Sequence, residues 1–466
     1  MLRPYTVERN GKREQYRFDS EMMTSDTIFA QSSGVGIAGI AVIRVSGPKA
    51  GEVLESIAGG MPKPRRASLR RLTDPATGET LDRAVVLWMP GSNTVSGEDV
   101  AEFHVHGSQA VVAALFTAFS RFDQVRPAEA GEFTRRAFAN GRMDLVEAEG
   151  LADLLRARTG MQRRLALNHL LGEASTIYET WRTELMGILA HVEAALDFGE
   201  EDGVAEAAIL DVGPKTSALI ASMAEALSGA DRASAIRTGV KVVLAGTPNT
   251  GKSSLLNAIA VRDAAIVSPR PGTTRDAIEV VIDLAGMPVI LTDTAGLRGE
   301  AGDEIEEIGM ARTRREMDGA DVVVWVSATD IVEGHPPELG AIPMLRVHNK
   351  SDLLQVSGAD QQPPKNALLV SSRTGAGLPA MLDSLTDLVR REFRQAEDSV
   401  IVRARQKQAI ADSIRYLNDS LRYDREHLEF RAEGLRKAAH CLARITGRID
   451  VEDLLASIFS EFCIGK

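Results

Sequence analysis

The run Gly246-Thr-Pro-Asn249-Thr250-Gly251-Lys252-Ser253 follows directly on the apolar stretch Val240 to Ala245. An apolar strand emptying into a glycine loop that ends in Lys-Ser is the arrangement that cradles nucleotide phosphates. Glycines let consecutive backbone N–H groups turn inward around phosphate oxygens, Lys252 can reach the β and γ groups, and the Ser253 hydroxyl can ligate Mg²⁺. A helix opening at Ser253 adds its positive end. The middle of the chain is therefore expected to be a nucleotide-binding domain.

Three further segments stand downstream in the order such a domain requires. Gly272-Thr273-Thr274-Arg275-Asp276 comes first, then Asp293-Thr294-Ala295-Gly296 after Val289-Ile290-Leu291, then Asn349-Lys350-Ser351-Asp352 after Met344 to Val347. An Asn-Lys-x-Asp loop suits guanine, because the aspartate can accept from the ring N1–H and the exocyclic amine, which adenine does not offer. GTP is favoured over ATP. Ser371-Ser372-Arg373, after Leu368-Leu369-Val370, stands where a last base-contacting loop belongs, although Ser-Ser-Arg-Thr-Gly is also an ordinary turn sequence.

Hydrolysis poses two problems. Many GTPases place a glutamine after the Asp-x-x-Gly glycine to orient the attacking water, and here that position holds Leu297, which cannot hydrogen-bond water. The nearest polar supply is the acidic run Asp303-Glu304-Ile305-Glu306-Glu307, which also reads as an exposed helix start with acids near the positive end. Phosphoryl transfer also calls for an extra cation near the β and γ phosphates, commonly an arginine finger. Asn249 offers a neutral carbonyl that could help coordinate a monovalent cation instead.

The 466 residues suggest about three domains. No run approaches the ~20 apolar residues of a membrane span, and Met1 to Met23 mixes basic and acidic side chains unlike a signal peptide. Cys441 and Cys463 cannot form a disulfide framework, which points to the cytosol. A net charge of -11 argues against a broad basic face for nucleic acid, so any RNA must be met locally or through a second protein. The basic clusters at Lys63 to Arg71 and Arg312 to Arg315 read as solvated surface.

Between Thr27 and Val125 short β-rich runs (Ile40 to Val45, Ala84 to Met89, Val100 to His106) alternate with Gly, Pro and Asn, as in an α+β module. From Asp144 the period changes. Leu151, Leu154 and Leu155, then Leu185, Ile188, Leu189, Val192 and Leu196, recur at helical spacing, and the same texture returns after Ser399. Helical stretches on both sides of the nucleotide motifs could bury each other's apolar faces, so an all-α domain interrupted by an inserted P-loop domain is expected. The boundaries are a 1–25 extension, an α+β domain over 26–142, helices over 143–236 and 393–466, and the nucleotide domain over 237–392.

These motifs and the two ends of the chain resemble the MnmE (TrmE) family of tRNA modification GTPases from about Asp26 to Lys466. The resemblance rests on Asp26-Thr-Ile-Phe-Ala-Gln-Ser-Ser-Gly, Gly39-Ile-Ala-Val-Ile-Arg44-Val-Ser-Gly47, Ser96-Gly-Glu-Asp-Val-Ala-Glu102, Arg126-Pro-Ala-Glu-Ala-Gly-Glu-Phe-Thr-Arg-Arg-Ala-Phe and the ending Ile458-Phe-Ser-Glu-Phe-Cys463-Ile-Gly-Lys466. It implies a multidomain α/β protein. The parts are an N-terminal folate-binding and dimerising domain, a helical domain, and an inserted GTPase domain with a Ras-like, mostly parallel sheet. It further implies a homodimer that forms a heterotetramer with the flavoprotein MnmG (GidA). That assembly would install an aminomethyl or carboxymethylaminomethyl group at C5 of the wobble uridine (U34) of certain tRNAs, using GTP hydrolysis and a folate one-carbon unit carried as 5,10-methylene- or 5-formyl-tetrahydrofolate. Flavin chemistry and much of the tRNA contact would belong to the partner.

Carried onto this chain, the resemblance implies that Asn249, Thr250, Gly251, Lys252, Ser253 and Ser254 hold the phosphates, with Ser253 and Thr274 on Mg²⁺. Asn249 would ligate K⁺ together with Ser268, Arg270 and Thr273, in the GTP-contacting loop Ser268-Pro269-Arg270-Pro271-Gly272. Two prolines stiffen that loop relative to the family's usual Thr-Asp-Ile-Ala-Gly. Asp293, Thr294, Ala295 and Gly296 would also bind GTP, with Asn349, Lys350, Asp352, Ser371, Ser372 and Arg373 at the base. Glu306, before the Ile308-Gly309 pair, would position water. Arg44, Glu102, Arg142 and Lys466 match folate-associated positions, Arg142 standing where the family often has lysine. Cys463 has three readings: a small buried hydrophobe, the start of a C-terminal Cys-a-a-X lipidation signal that a final lysine fits poorly, or, as the resemblance implies, a reactive thiol of the modification reaction.

Two other functions share parts of this pattern. An Era- or Der-like ribosome-assembly GTPase has the same central motifs but normally brings a basic RNA-binding appendage. A nonhydrolysing folate-binding scaffold would not need Lys252, Ser253, Thr274 and Asp293 intact.

Overall fold

Alternating burial along the early strands builds the first of two units, residues 1–152 with 439–466; the second is 153–438. The structure, a computed structural model, describes residues 3–9, 12–18, 26–197, 211–262, 279–293, 317, 319–331, 340, 342–354, 364, 366–394, 399–423, 427–449, 455, 458–460, 462 and 464–465.

In the first unit β1 (Arg3–Arg9) and β2 (Lys12–Phe18) form an antiparallel pair. Six further strands make the main sheet: β3 (Thr27–Gln31), β4 (Ala38–Ser46), β5 (Ser68–Thr73), β6 (Thr80–Met89), β7 (Val100–Gly107) and β8 (Val125–Pro127), in the order β5-β6-β7-β4-β3-β8. On β4, Ala41, Ile43 and Val45 are buried while Val42 and Arg44 face the half-exposed side, the two-residue period of a strand with one covered face. Helices α1 (Ala50–Ala58) and α2 (Gln109–Phe119) supply that cover, packing Val53, Leu54, Ile57, Leu115 and Phe119 against Phe29, Ile43, Leu72, Val86 and Phe103. Gly59, at φ 67°, ends α1 in the left-handed conformation, and the next N–H returns to the Glu55 carbonyl at 2.9 Å.

Two short helices, α3 (Glu132–Ala139) and α4 (Leu145–Arg156), begin a second core in this unit. Phe138, Leu145, Ala148 and Ala152 pack there with Leu455, Ile458, Phe459 and Phe462 from the end of the chain. Ile464 then bridges Ala130, and the Ser32 hydroxyl donates to the Gly465 carbonyl at 2.9 Å.

The second unit contains the nucleotide motifs. Its sheet comprises β9 (Val240–Ala245), β10 (Glu279–Leu284), β11 (Met287–Asp293), β12 (Val322–Ala328), β13 (Met344–Asn349) and β14 (Leu368–Leu369), in the order β10-β11-β9-β12-β13-β14. Only the β10–β11 pair is antiparallel. Strands covered on both faces need near-continuous apolar runs, and Val-Lys-Val-Val-Leu-Ala in β9 and Val-Val-Val-Trp-Val-Ser-Ala in β12 are such runs. Helices α9 (Lys252–Arg262) and α10 (Leu378–Phe393) complete this core. The chain leaves β9 toward β10 and β11 on one side and returns to β12 on the other. A ligand crevice forms at the carboxyl ends of strands beside such a reversal.

Helices flank the nucleotide domain in sequence: α5 (Gly160–Leu170), α6 (Glu173–Asp197), α7 (Val212–Ser228) and α8 (Ala230–Thr238) precede it, and α11 (Ala404–Ser420) and α12 (Leu428–Thr446) follow. α7 packs on both α6 and α11, which joins the two sequence-separated stretches. Leu185, Ile188, Leu189 and Val192 form the buried stripe of α6, and Trp181 Nε1 donates to Ser222 Oγ at 3.0 Å. Tyr178 donates its hydroxyl to the Val400 carbonyl. At the start of α11 the Gln406 side-chain carbonyl accepts from the N–H groups of Val402 and Arg403, satisfying donors that precede the first turn. The chain is a multidomain α/β protein: an α+β N-terminal part, a helical part and an interposed P-loop domain with a mostly parallel sheet. No described helix is long and apolar enough to cross a membrane.

Candidate nucleotide site

β9 hands the chain to its loop at Gly246, where φ is 149° and a Cβ would lie 2.1 Å from the Val326 carbonyl oxygen. Only glycine lets the loop leave the strand this close to β12. Asn249 and Gly251 also take positive φ, 64° and 86°, so the backbone curls around a small concave volume. Thr250 is fully buried and its hydroxyl donates to the Thr247 carbonyl at 2.9 Å. Lys252, only 5% exposed, folds its ammonium back to the carbonyls of Gly246 (3.1 Å) and Thr247 (3.0 Å). Because α9 starts at Lys252, helix geometry leaves the first N–H groups without intrahelical acceptors, aimed where an anion would sit.

Two oxygens meet at the far side of this loop. The Ser253 hydroxyl donates to Asp293 Oδ2, and Asp293, at the end of β11, has no exposed surface. A hydroxyl beside a buried carboxylate, next to a phosphate cradle, is the hard-oxygen donor set that Mg²⁺ takes, with the Ser253 hydroxyl free to turn its lone pairs to the ion. These residues fit that metal.

Asn349, expected from the sequence to face the base, ends β13 and is fully buried. Its Nδ2 donates to the Thr250 carbonyl at 2.9 Å and lies 3.4 Å from Ser372 Oγ, while its Oδ1 accepts from the Ser372 N–H at 3.1 Å. A Cβ on Gly251 would fall 2.5 Å from the same Nδ2. Lys350, at φ 61°, extends its ammonium to Asp330 at 2.8 Å. Asp352 presents its carboxylate at the loop end. Oδ1 accepts from Ser371 Oγ at 2.6 Å, and Oδ2 accepts from Arg373 Nε at 3.0 Å and Nη2 at 2.6 Å. The Ser371 hydroxyl first, and the Arg373 guanidinium after it, hold the Asp352 carboxyl below the usual carboxylate range, so it stays an acceptor.

The structure thus brings together Thr250, Ser253, Asp293, Asn349, Asp352, Ser371, Ser372 and Arg373 at the carboxyl end of one sheet. Ser268, Pro269, Arg270, Pro271, Gly272, Thr273, Thr274, Thr294, Ala295, Gly296, Glu306, Cys463 and Lys466 lie outside the described residues. Asp330 was not singled out from the sequence. Its signal was position, two residues past β12, where a polar residue ends an apolar run at the ligand edge of the sheet.

In the first unit, Arg44 and Glu102 are cross-strand partners on β4 and β7 and are joined by two hydrogen bonds of 3.1 and 2.9 Å. Burial works against ionising Glu102, but the charge and hydrogen bonds of Arg44, with His104 at 3.2 Å, outweigh it and keep the carboxyl below its usual range. The Arg44 guanidinium also lies 5.8 Å above the Phe133 ring. Arg142 donates elsewhere, to the neutral Asn93 side-chain oxygen at 3.1 Å. A shielded carboxylate can accept from an aminopyrimidine edge, and a guanidinium held by a neutral amide among the described residues suits a carboxylate tail. The described donors fit a folate. Nearby, the Arg136 guanidinium is 5% exposed and bonds Asp26, Glu98 and Glu132, while Arg126 bonds Asp26 and Glu132; this network fixes α3 to the sheet.

Comparison with known proteins spans nearly the whole chain. Residues 27–142 match the family described as the GTP-binding protein TrmE N-terminus, and residues 145–463 the family described as the MnmE helical domain. The chain is 48% identical over 448 residues to the tRNA modification GTPase MnmE of Methylobacterium sp. (strain 4-46), covering 95% of this chain and all of that one. It is 46% identical over 450 residues to the protein of the same name from Methylorubrum populi, covering 96% and 100%. Among solved structures, the G domain of the T. maritima FeoB iron transporter covers 33% of this chain and 98% of its own at 23% identity, with a TM-score of 0.21. Identity at this level, end to end with proteins of one name, leaves a single assignment: the chain belongs to the MnmE family of tRNA modification GTPases.

Proposed function

We propose that this protein hydrolyses GTP in the service of tRNA modification. The observation that carries the reading is the Asn349 side chain, which ties the phosphate loop at Thr250 to the base loop at Ser372. One buried amide then registers base recognition against phosphate binding. Asp352, held ionised, accepts from the N1–H and the C2 amine of guanine, whereas adenine has no N1–H and carries its amine at C6. Lys252 exchanges the loop carbonyls for the β and γ phosphates, where its charge offsets that developing on the transferred group.

Mg²⁺, held by Ser253 and Thr274, would neutralise charge on the β and γ oxygens. K⁺, held by Asn249 with Ser268, Arg270 and Thr273, would supply the positive charge that an arginine finger gives elsewhere. Glu306 orients water in place of the missing glutamine, and GTP draws the two GTPase domains of a homodimer together until hydrolysis releases them. Arg44, Glu102, Arg142 and Lys466 would hold the tetrahydrofolate, which would supply the one-carbon unit. With MnmG the cytoplasmic assembly modifies C5 of wobble uridine, with Cys463 as a reactive thiol of that reaction.

Phosphate release with GTP and with ATP tests the nucleotide half, and no preference for GTP would refute it. Mass spectrometry of tRNA nucleosides from cells lacking the protein, with and without its restoration, tests the other half. Unchanged wobble uridines would leave only the GTPase.

A further inference from the structure

Between Lys63 and Arg71 the chain carries five cations and no acid, in a protein whose net charge is -11. The structure adds a sixth. Arg71 on β5 and Arg83 on β6 are directly opposite cross-strand partners, both exposed, while their neighbours Leu72 and Ala84 are buried. Like charges placed this way repel and destabilise a sheet. Among the described residues, none of Lys63, Arg65, Arg66, Arg70, Arg71 and Arg83 has a carboxylate within 4.0 Å.

The local backbone presents these cations at some cost. Lys63-Pro64-Arg65-Arg66 is a turn closed by the Arg66 N–H on the Lys63 carbonyl at 3.3 Å, with Arg65 third at φ 56°. That position favours glycine or asparagine. It holds an arginine instead, whose Nη2 donates to the Asn93 carbonyl at 2.7 Å and so is fixed in place. Arg70 Nε is buried without a hydrogen-bond partner. β5 continues from the turn as the edge strand of its sheet, which sets the cations in a row along that edge.

We infer that this row, from Lys63 along β5 to Arg71 with Arg83 beside it, docks the phosphate backbone of the tRNA substrate. The inference rests on the tRNA reading above. A phosphate seated between Arg71 and Arg83 converts their repulsion into two attractions, whereas a merely solvated surface gains nothing from opposing like charges. Guanidinium groups meet phosphate oxygens through paired N–H bonds, and five of the six cations are arginines. Phosphate contacts fix position and register without reading bases. The row therefore places the body of the tRNA and leaves the choice of nucleotide to other groups, and the acidity of the rest of the chain confines RNA to this edge.

The test is equilibrium binding of a full-length tRNA transcript to the full chain over a range of KCl concentrations, for wild type and for Arg66→Gln/Arg71→Gln/Arg83→Gln. Loss of three phosphate contacts should weaken binding about tenfold or more at low salt and make the slope of log affinity against log salt shallower by about 2–3. Arg71→Gln alone should unfold no lower than wild type, because it removes a repulsion. A lower midpoint, an unchanged affinity and slope in the triple variant, or a wild type that binds no tRNA overturns the inference. So does a triple variant that keeps tRNA and loses MnmG, since the row would then face an acidic protein surface. Wobble nucleosides from cells lacking the protein report on the tRNA reading independently, so its failure is distinguishable from a failure of this surface.

Discussion

Asn349 donates to the Thr250 carbonyl at 2.9 Å across 99 residues of sequence, and in this way two loops of one nucleotide site share a hydrogen bond buried from water. Replacing Asn349 with Ala leaves the Thr250 carbonyl and the Ser372 N–H without their partner. Each buried polar group so orphaned costs about 1–3 kcal/mol. GDP affinity should drop by roughly tenfold or more, with a matching fall in the urea midpoint. A variant that binds GDP normally would separate the two loops.

Gly246 and Gly187 make a contrasting pair. At Gly246 a methyl group would meet the backbone oxygen of Val326, which cannot swing aside as a side-chain end could. Gly246→Ala should cost about 1–3 kcal/mol and weaken GDP binding. Gly187 stands inside α6 with nothing within 4 Å of a Cβ. Gly187→Ala should stabilise by about 0.5–1 kcal/mol, since alanine loses less backbone freedom on folding. Thermal unfolding of the two variants checks both signs.

Glu132 gives the N-terminal unit a pH dependence. Burial opposes its ionisation, but hydrogen bonds from Arg126, the Glu129 N–H and Arg136 prevail and hold its carboxyl below the ordinary 4.5. A carboxyl with a lowered folded-state pKa contributes stability that is complete above 4.5 and is lost as pH falls through the folded value. Urea midpoints should therefore decline on acidification below that point. Glu132→Gln should lower the midpoint at neutral pH and flatten the acid limb; an unchanged limb would assign the acid sensitivity to other carboxyls.

Turnover should depend on groups that binding does not require. Glu306→Ala should abolish GTP hydrolysis and leave GDP affinity intact, and normal turnover in this variant would remove Glu306 from the chemistry. Hydrolysis should also be much faster in K⁺ than in Na⁺ at equal ionic strength. Equal rates would count against a cation at Asn249.

The strands and the phosphate loop were legible because their signals are local. Val240 to Ala245 and the glycine run behind it specify a turn that few other sequences can make, and the structure has β9 ending at Ala245 and α9 starting at Lys252. Periodicity showed that α4 and α6 are helical but not how much of each stripe is covered; Leu155 is 47% exposed. Long-range side-chain pairings were not legible. Nothing in the one-dimensional pattern puts Arg373 on Asp352, Lys350 on Asp330, or Arg136 among Asp26, Glu98 and Glu132, because each depends on how separate loops are aimed by the sheet beneath them.

Phe138 and Leu145 are synthesised early, but four residues of the core they share, Leu455, Ile458, Phe459 and Phe462, emerge from the ribosome about 300 residues later. At roughly 5–20 residues per second that is an interval of some 15–60 s. During it the apolar flank formed by Phe138, Leu145, Ala148 and Ala152 lacks the four side chains that cover it in the folded unit. Only when the tail docks, with Ile464 against Ala130, is that flank closed.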